Sequence, residues 1–390
     1  MRFKMYVPTK ILFGEGQLNK LSRQKLPGKK AIVVISNGKS TKENGSLLKT
    51  QEQLKSAGVE SVVFDKIMAN PLKSTVMEGS AFARENGCDF VVALGGGSVM
   101  DASKAIATMA TNPGDLWDYI DGGTGKGMIP ENEPLPTVAI TTTAGTGSEV
   151  DPWGVISNED TKEKIGFGGL ASQFPQIAII DPELMKSVPP VFTAYQGFDA
   201  LYHSVESYIA ANANLMSDMY ALEAIENIGN YLVSAVKDGG NMEARERVAF
   251  ANTLSGVVMT LSGCTSEHSM EHALSAHHHK LPHGAGLIMI SREYFTFFIE
   301  KHVCDDRFVR MAKALGMAHA SKPMDFITAL VKLQEDCGVA NLKMSDYGVG
   351  HDDFMKLAKT ARETMGGLFT RDRIKLSDED CAAIFKKSYA

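Results

Sequence analysis

Short apolar runs rich in β-branched residues recur through the first half of the chain, separated by longer polar stretches. Such runs between helical stretches are typical of strands that are buried on both faces of a parallel sheet. The predicted strands are 31–35, 61–64, 90–94, 137–140 and 177–180, and the predicted crossover helices are 41–57, 72–86 and 98–110. The pattern therefore predicts an α/β unit with a parallel sheet at the N-terminal end of the chain.

The pattern changes after Val188-Pro189-Pro190. From Thr193 onward, apolar residues recur at helical spacing and Ala, Met, Leu and Glu are frequent, which favours helix. Long predicted helical stretches include 214–236, 243–263 and 323–337. We therefore expect two domains, an α/β domain over residues 1–187 and an all-α domain over residues 188–390.

Composition and charge narrow the class of protein. The 390 residues are 44% hydrophobic and 22% charged, as in folded globular proteins. The net charge of −6, without a long basic run, argues against a nucleic-acid partner. The sequence has neither a signal-peptide pattern at its start nor a membrane-span pattern of about 18 apolar residues. Its five cysteines are scattered without a C-x-x-C pair, which argues against a disulfide framework. We expect a cytoplasmic enzyme with no nucleic-acid or membrane partner.

One aspartate and several histidines have spacings that suit a single divalent metal ion. Asp199 and His203 are four residues apart, as are His268 and His272, so each pair would project from one face of a helix. His283 follows in a Pro-His-Gly motif. A carboxylate with neutral imidazoles is a ligand set for Zn²⁺ or Fe²⁺, with Mn²⁺, Ni²⁺ or Co²⁺ as alternatives.

The most economical set of four ligands is Asp199, His203, His268 and His283. His272, one helical turn beyond His268, would point at the same cavity and is predicted to relay a proton; a packed core histidine is the alternative. The adjacent histidines 277–279 are expected to be loop residues. Among the cysteines only Cys264, four residues before His268, could lie near the metal, and an ordinary buried thiol is the favoured alternative.

A glycine-rich turn, Gly95-Gly96-Gly97-Ser98, follows the predicted strand 90–94 and opens a predicted helix. Glycines let backbone N–H groups approach a phosphate closely, and a helix N-terminus favours negative charge. The structural alternative is a capping box formed by Ser98 and Asp101, which any helix could have. Because three consecutive glycines exceed what capping needs, the turn predicts a phosphate-binding site.

A second polar segment, Thr141 to Glu149, follows the predicted strand 137–140 and carries four threonines and two glycines. Nucleotides bind at the carboxyl ends of strands in open α/β sheets. The segment could be a plain polar turn, but beside the glycine-rich turn it is expected to line a cofactor cleft.

The predicted strand 31–35 ends in Ser36-Asn37-Gly38-Lys39-Ser40, without a carboxylate. An acidic residue at this place usually binds the adenosine ribose 2′-OH and repels a 2′-phosphate. Its absence favours NADP(H) over NAD(H), with Lys39 and Ser40 as phosphate partners. A solvated turn with no bearing on the cofactor is the alternative.

Together these motifs resemble the iron-dependent, or group III, alcohol dehydrogenase family, which is related to glycerol dehydrogenase and dehydroquinate synthase. The similarity covers most of the chain, from residues 9–14 through Asn70-Pro71, the glycine-rich turn and Asp181-Pro182 to the Pro-His-Gly motif. The segment 37–40 is similar to the branch that contains butanol dehydrogenases and NADPH-dependent aldehyde reductases.

The resemblance implies a dehydroquinate synthase-like fold, with a Rossmann-like dinucleotide-binding domain, an all-α domain and the metal in the cleft between them. It implies Fe²⁺ or Zn²⁺ on Asp199, His203, His268 and His283, with His272 as a catalytic residue beside them. It implies homodimers formed through the first strand, here near residues 9–13. The cofactor contacts that it implies are Asn37, Gly38, Ser40, Asn70, Gly95, Gly96, Gly97, Ser98, Asp101, Thr142, Thr143, Thr146 and Lys164.

The favoured function is hydride transfer between NAD(P)(H) and a small primary alcohol or its aldehyde, assisted by the metal as a Lewis acid. One alternative is a metal- and NAD-dependent lyase or cyclase like dehydroquinate synthase, although few Lys or Arg residues lie near the metal segment to hold an acidic substrate. A metal hydrolase is a third possibility, but it leaves both polar turns without a purpose. A purely structural or binding protein explains neither cluster.

Overall fold

The computed structural model describes residues 2–389 and contains a six-stranded parallel sheet. Its strands are β1 (Lys10–Phe13), β2 (Lys30–Ser36), β3 (Glu60–Ile67), β4 (Phe90–Gly95), β5 (Thr137–Thr141) and β8 (Ile177–Ile180). Their order across the sheet is β1-β8-β5-β4-β2-β3. Every strand predicted from an apolar run is present, because runs such as Ala31–Ile35 are buried on both faces of the sheet.

Four helices belong to the sheet unit: α1 (Ser40–Glu43), α2 (Ser46–Ser56), α3 (Lys73–Glu85) and α4 (Gly97–Thr111). The predicted helix 41–57 is divided into α1 and α2, because Gly45 adopts a left-handed conformation with φ 79°. The strand order reverses at β2, which has β3 on one side and β4 on the other. Ligands of open α/β sheets bind at the carboxyl ends of the strands at such a reversal, and the glycine-rich turn follows β4 there.

An antiparallel hairpin of β6 (Trp153–Asn158) and β7 (Glu163–Gly168) was not predicted. Its strands contain Gly, Ser, Asn, Glu and Lys and therefore lack the apolar run that marks the other strands. The hairpin is attached to α4, since the Asp101 carboxylate accepts a hydrogen bond from the Val155 N–H at 2.9 Å. It also bonds to the loop after β3, where the Ser157 N–H donates to the Pro71 carbonyl at 2.8 Å.

From Val188 onward the described residues form helices and turns and contain no strand. The helices are α5 (Pro190–Ile209), α6 (Leu215–Lys237), α7 (Met242–Met259), α8 (Ser266–His277), α9 (His283–Glu300), α10 (Asp305–Ala314), α11 (Asp325–Asp336), α12 (Phe354–Phe369) and α13 (Asp378–Ser388). The predicted helix 243–263 extends too far, because α7 ends at Met259 and Gly263 is left-handed with φ 71°. The fold is an α/β unit followed by an all-α unit, as predicted.

The chain groups into two compact units. The α/β unit comprises residues 7–143 and 147–187, and the helical unit comprises residues from 188 onward together with residues up to Tyr6 and Ala144–Thr146. The division into a dinucleotide-binding domain over residues 1–187 and a metal-binding domain over residues 188–390 stays a prediction. Among residues 2–389, no helix is both long and apolar enough to cross a membrane.

Candidate metal and cofactor sites

The four predicted metal ligands lie together in the helical unit. Asp199 and His203 are one turn apart on α5, His268 is in the first turn of α8, and His283 is the first residue of α9. The Asp199 Oδ1 lies 3.6 Å from His203 Nδ1, 3.5 Å from His268 Nε2 and 3.5 Å from His283 Nε2. One carboxylate oxygen therefore has three imidazole nitrogens around it. The donor atoms of Asp199, His268 and His283 all lie within 4.8 Å of one another, whereas His203 is outside that group.

These distances fit donor atoms around a cation better than they fit direct hydrogen bonds. Metal–ligand bonds of about 2.0–2.2 Å in a tetrahedron place neighbouring donor atoms roughly 3.3–3.6 Å apart. Moreover, Asp199 Oδ1 and His268 Nε2 are buried and have no hydrogen-bond partner among the described residues. Since buried polar atoms are rarely left unsatisfied, the cluster fits a divalent metal ion.

Two buried glutamates hold the far sides of the imidazole rings. Glu206 on α5 contacts His268 Nδ1, and Glu271 on α8 contacts His283 Nδ1. A carboxylate behind a metal-binding histidine fixes the ring orientation and raises the basicity of the ligand nitrogen. Sequence analysis did not select either glutamate. The signal was available, because each lies three residues after a predicted ligand, on the same face of its helix.

The pKa values in the cluster depend on burial and on the charge–charge interactions between its residues. Although burial opposes it, the imidazoles of His203 and His283 hold the pKa of Asp199 well below its usual range. Burial lowers the pKa of His203 to about 3 in spite of the neighbouring carboxylate, so this ring is neutral and able to bind a metal. Burial also lowers the pKa of His268, but Cys264 and Glu206 outweigh burial and raise that pKa well above its ordinary value. A cation bound here would displace that proton.

Gly145 was not among the selected residues, yet it belongs to the same cluster. A Cβ at Gly145 would lie 3.1 Å from Asp199 Oδ2 and 3.1 Å from the Gln196 Cα. The Gly145 carbonyl is 3.4 Å from His203 Nδ1. Only the absence of a side chain lets the backbone approach the aspartate so closely.

His272, the predicted proton relay, is buried beside the cluster. Its ring centroid is 5.3 Å from that of His283 and 6.2 Å from that of His268. Its Nδ1 contacts the Met365 Sδ, at the residue where α12 departs from helical geometry. Histidines 277–279 lie at the end of α8 and in the turn after it, and His277 contacts Thr360.

In the α/β unit, the glycine-rich turn meets the first residues of the polar segment Thr141 to Glu149, hereafter the threonine segment. Gly95 pairs with Thr141 between β4 and β5, and the Thr142 N–H donates to the Gly95 carbonyl at 3.0 Å. A Cβ at Gly96 would lie 2.7 Å from Thr143 Oγ1, so the close packing of these two segments requires glycine. The two predicted cofactor motifs therefore form one surface at the carboxyl ends of neighbouring strands.

The capping-box interpretation of Ser98 and Asp101 is wrong. The N-cap of α4 is Gly96, with no side-chain cap, and Gly97 and Ser98 already lie inside the helix. Asp101 instead accepts a hydrogen bond from Ser148 Oγ at 2.8 Å in addition to the bond from the Val155 N–H. Both oxygens of this predicted cofactor residue thus bind other parts of the α/β unit.

Buried Lys104 joins the hydrogen bonds of Asp101 and Ser148 into one network. Its Nζ donates to Ser148 Oγ at 2.7 Å, to Asp151 Oδ1 at 3.0 Å and to the Trp153 carbonyl at 2.6 Å. Burial raises the pKa of Asp101 to about 6, although Lys104 acts in the opposite direction. The network fixes Ser148, Asp151 and Trp153 against α4.

The other predicted cofactor residues lie after β2, after β3, in the hairpin and after β5. Asn37 and Gly38 are exposed after β2, and Ser40 is the first residue of α1. Asn70 has a left-handed backbone with φ 54° in the loop after β3. Lys164 is buried in β7, and Thr146 is in the short segment that groups with the helical unit.

A parallel α/β sheet with a glycine-rich turn, followed by helices that carry an aspartate–histidine cluster, fits the class of metal-dependent oxidoreductases that use a nicotinamide cofactor. Residues 8–182 match the family described as iron-containing alcohol dehydrogenase, and residues 193–389 match the C-terminal part of the Fe-containing alcohol dehydrogenase family. The chain belongs to the iron-containing alcohol dehydrogenase family. Membership implies an iron ion and a nicotinamide cofactor.

Relatives that are named as dehydrogenases match the chain over most or all of its length. It is 33% identical over 400 residues to 1,3-propanediol dehydrogenase of Klebsiella pneumoniae, with 100% of each chain covered. It is 31% identical to the NAD-dependent methanol dehydrogenase of Bacillus methanolicus, over 92% of this chain and 93% of the relative. An archaeal halo-thermophilic alcohol dehydrogenase from a Red Sea brine pool has a structure with a TM-score of 0.94 and 36% identity, over 100% of this chain and 99% of that chain. The lyase alternative is not favoured by these similarities.

Proposed function

We propose that this enzyme transfers a hydride reversibly between a nicotinamide cofactor and a small primary alcohol or its aldehyde, and that Asp199, His203, His268 and His283 hold its metal ion. The observation that carries this proposal is the group of three imidazole nitrogens around Asp199 Oδ1. A divalent cation there supplies a Lewis acid that stabilises negative charge on the substrate oxygen. The substrate class is supported by relatives that are named for 1,3-propanediol and methanol.

The residues around the ligands orient them and move a proton. Glu206 and Glu271 each accept from an imidazole and so keep the opposite ring nitrogen directed at the cation. His272 is buried beside His283. It is our candidate for accepting the alcohol proton during oxidation and for donating a proton to the substrate oxygen during aldehyde reduction. Its test is the pH profile of His272→Ala, which should lose a titrating step; full activity at every pH would contradict the role.

The cofactor is assigned to the surface shared by the glycine-rich turn and the threonine segment. The N–H groups at the start of α4 would bind the pyrophosphate, since a helix N-terminus favours anions. Residues 96–98 are partly exposed, as phosphate contact requires. The other proposed contacts are Asn37, Gly38, Ser40, Asn70, Gly95, Asp101, Thr142, Thr143, Thr146 and Lys164. Asp101 acts in this proposal by positioning the hairpin, because its oxygens bind Ser148 and Val155.

We favour NADP(H) over NAD(H). The turn after β2 has no carboxylate to repel a 2′-phosphate, and Lys39 is exposed there with no acidic residue beside it in sequence. The relative from Bacillus methanolicus is named NAD-dependent, so the preference of this chain rests on its own turn and requires a direct comparison of the two cofactors.

A homodimer in the cytoplasm is also proposed. Among the described strands β1 lies at the edge of the sheet and pairs only with β8, and Ile11 on it is 41% exposed. An exposed apolar edge strand is a ready surface for pairing with a second copy. All five cysteines are free, which suits a reducing compartment. Sedimentation equilibrium of the wild type and of Ile11→Lys tests the dimer.

The decisive experiment reconstitutes the metal-free protein anaerobically with Fe²⁺ or Zn²⁺ and assays a panel of short aldehydes with NADPH and NADH. Multiple turnovers with NADPH, abolished in Asp199→Asn, are expected. Asp325→Asn is the matched control, because the carboxylate of this half-buried residue accepts hydrogen bonds from the Ser321 and Lys322 N–H groups before α11 and is outside the metal groups. A tightly held cofactor that is never released, with no net oxidation of NADPH, would contradict the dehydrogenase function.

A further inference from the structure

Cys264 lies in the loop between α7 and α8, directly before the helix that carries His268. It is 3% exposed. Its Sγ, one ring nitrogen of His203 and one of His268 all lie within 4.8 Å of one another. The sulfur also lies 3.0 Å from the Met259 Sδ, at the end of α7. Sequence analysis favoured an ordinary buried thiol, so this convergence on two predicted ligands is a finding of the structure.

A buried cysteine alone would not mark a site, but a second observation points to a cation. His268 is 3% exposed, and its Nε2 has no hydrogen-bond partner among the described residues. Burial without a partner is costly for an imidazole nitrogen, and a bound cation would relieve that cost. His268 belongs both to the group with Asp199 and His283 and to the group with His203 and Cys264.

The two groups differ in their preference for metals. Asp199, His268 and His283 offer one oxygen and two nitrogens, whereas His203, Cys264 and His268 offer one sulfur and two nitrogens. Thiolates favour soft cations, while carboxylates suit harder ones. His203 and His268, two of the four ligands that we propose for iron, therefore also lie close to the soft donor Cys264 Sγ.

We propose that His203, Cys264 and His268 form a second, overlapping donor set that binds a soft, thiolate-seeking cation in competition with iron. Binding breaks the S–H bond of Cys264 and forms an S–metal bond, the proton leaves to solvent, and the oxidation state of the cation does not change. Because His203 and His268 serve both sets, the two cations exclude each other. The competition rests on the proposed iron ligands, whereas the thiolate site itself does not.

Cadmium is the probe, because a Cd²⁺–thiolate bond gives a charge-transfer absorption band in the ultraviolet. The metal-free full-length protein is titrated anaerobically with Cd²⁺, and the difference spectrum is recorded. We expect the band in the wild type and its loss in Cys264→Ser, with Cd²⁺ affinity lower by about tenfold or more and Fe²⁺ affinity changed by less than about threefold. The matched control is Cys381→Ser, a buried cysteine in α13, which should keep the band.

Cys264→Ala serves as a second variant, and thermal unfolding identifies any variant that does not fold. The absence of a band in the wild type, or its persistence in both folded Cys264 variants, would overturn the proposal. Equally, Fe²⁺ and Cd²⁺ bound together at one equivalent each would overturn the competition.

Asp199→Asn separates this inference from the proposed function. Asp199 is outside the sulfur-containing group, so the variant should lose Fe²⁺ affinity and keep the Cd²⁺–thiolate band. Unchanged Fe²⁺ affinity in Asp199→Asn would count against the proposed iron ligands alone. Loss of the band through Cys264→Ser would still establish the thiolate site.

Discussion

Gly145 lies against Asp199, so closely that a Cβ at this glycine would come within 3.1 Å of the Asp199 Oδ2. Thr143 is two residues earlier in the chain than Gly145, and its Oγ1 would lie 2.7 Å from a Cβ at Gly96. One short polar segment thus carries a residue packed on the glycine-rich turn and a residue packed on the metal cluster. Each contact lies within its own unit, and at each a Cβ on the glycine would crowd the neighbouring side chain.

Gly145→Ala should weaken metal binding without unfolding the protein. The new methyl group would be a few tenths of an ångström too close to the carboxylate, which must rotate or move away from the imidazoles. We expect Fe²⁺ affinity to fall by about tenfold, measured by anaerobic titration, because metal sites tolerate donor shifts of only about 0.2 Å. Gly367→Ala is the control, since a Cβ there meets nothing within 4 Å. Equal affinities of the two variants would show that Asp199 can adapt.

Glu206→Gln and Glu271→Gln should each reduce metal affinity by about 10- to 100-fold, the usual effect of losing a carboxylate behind a metal-binding histidine. The effect of Glu206→Gln should be the larger, because one of its oxygens also accepts from the Thr265 N–H at 2.8 Å and its hydroxyl at 3.0 Å. An amide cannot offer acceptors to both Thr265 and His268.

The measurement for both glutamates is Fe²⁺ titration with circular dichroism as a check of folding. Glu223→Gln is a suitable control, because this glutamate accepts from Asn227 one turn away on α6 and is outside the metal groups. Wild-type affinity in both Glu206→Gln and Glu271→Gln would contradict an orienting role.

Much of the fold was predictable, because buried parallel strands have a distinctive sequence. Ala31–Ile35 and Phe90–Leu94 are apolar at every position, since both faces of the sheet are covered. The hairpin of β6 and β7 has no such signal. Asn158 and Glu163 flank its turn, and its position is set by hydrogen bonds that it donates to distant residues such as Asp101, which no local pattern encodes.

The metal cluster was predictable because helical spacing places Asp199 and His203 on one face. The spacing could also have identified Glu206, but a glutamate in a helix is usually a solvated residue, and only burial marks it as unusual. Gly145 and Cys264 depend on contacts across the helical unit. Sequence analysis favoured an ordinary thiol at Cys264 because proximity to His203, 61 positions away in the sequence, cannot be inferred from spacing.

Lys39→Gln should change the cofactor preference. If Lys39 pairs with a 2′-phosphate, its loss should raise the KM for NADPH by about tenfold, equivalent to about 1.4 kcal/mol, and leave the KM for NADH nearly unchanged. Initial rates with saturating aldehyde give both constants. Lys29→Gln is the matched control, because Lys29 is exposed next to the opposite end of β2. A parallel loss with both cofactors would show that Lys39 contacts a group common to NADPH and NADH.

Asp372→Asn should remove a pH dependence of stability. Asp372 accepts from the Ser266 N–H at 3.2 Å and from the Tyr294 hydroxyl at 3.2 Å, and burial raises its pKa to about 7. The folded protein therefore holds a proton that the unfolded chain releases near pH 4. This contribution to stability is fully present below about pH 4 and is lost as the pH rises through about 7.

The test compares urea unfolding of the metal-free wild type and of Asp372→Asn across pH. From about pH 5.5 to pH 8 the wild type should lose about 2 kcal/mol more unfolding free energy than the variant, since about 1.4 kcal/mol corresponds to each pH unit below the folded pKa. Asp325→Asn provides the contrast: hydrogen bonds from the backbone N–H groups of Lys322 and Ser321 lower the pKa of Asp325, so it stays ionised throughout this range. Its effect on stability should be independent of pH. Parallel curves for the wild type and Asp372→Asn would mean that Asp372 is ionised at pH 5.5, with a pKa in its ordinary range.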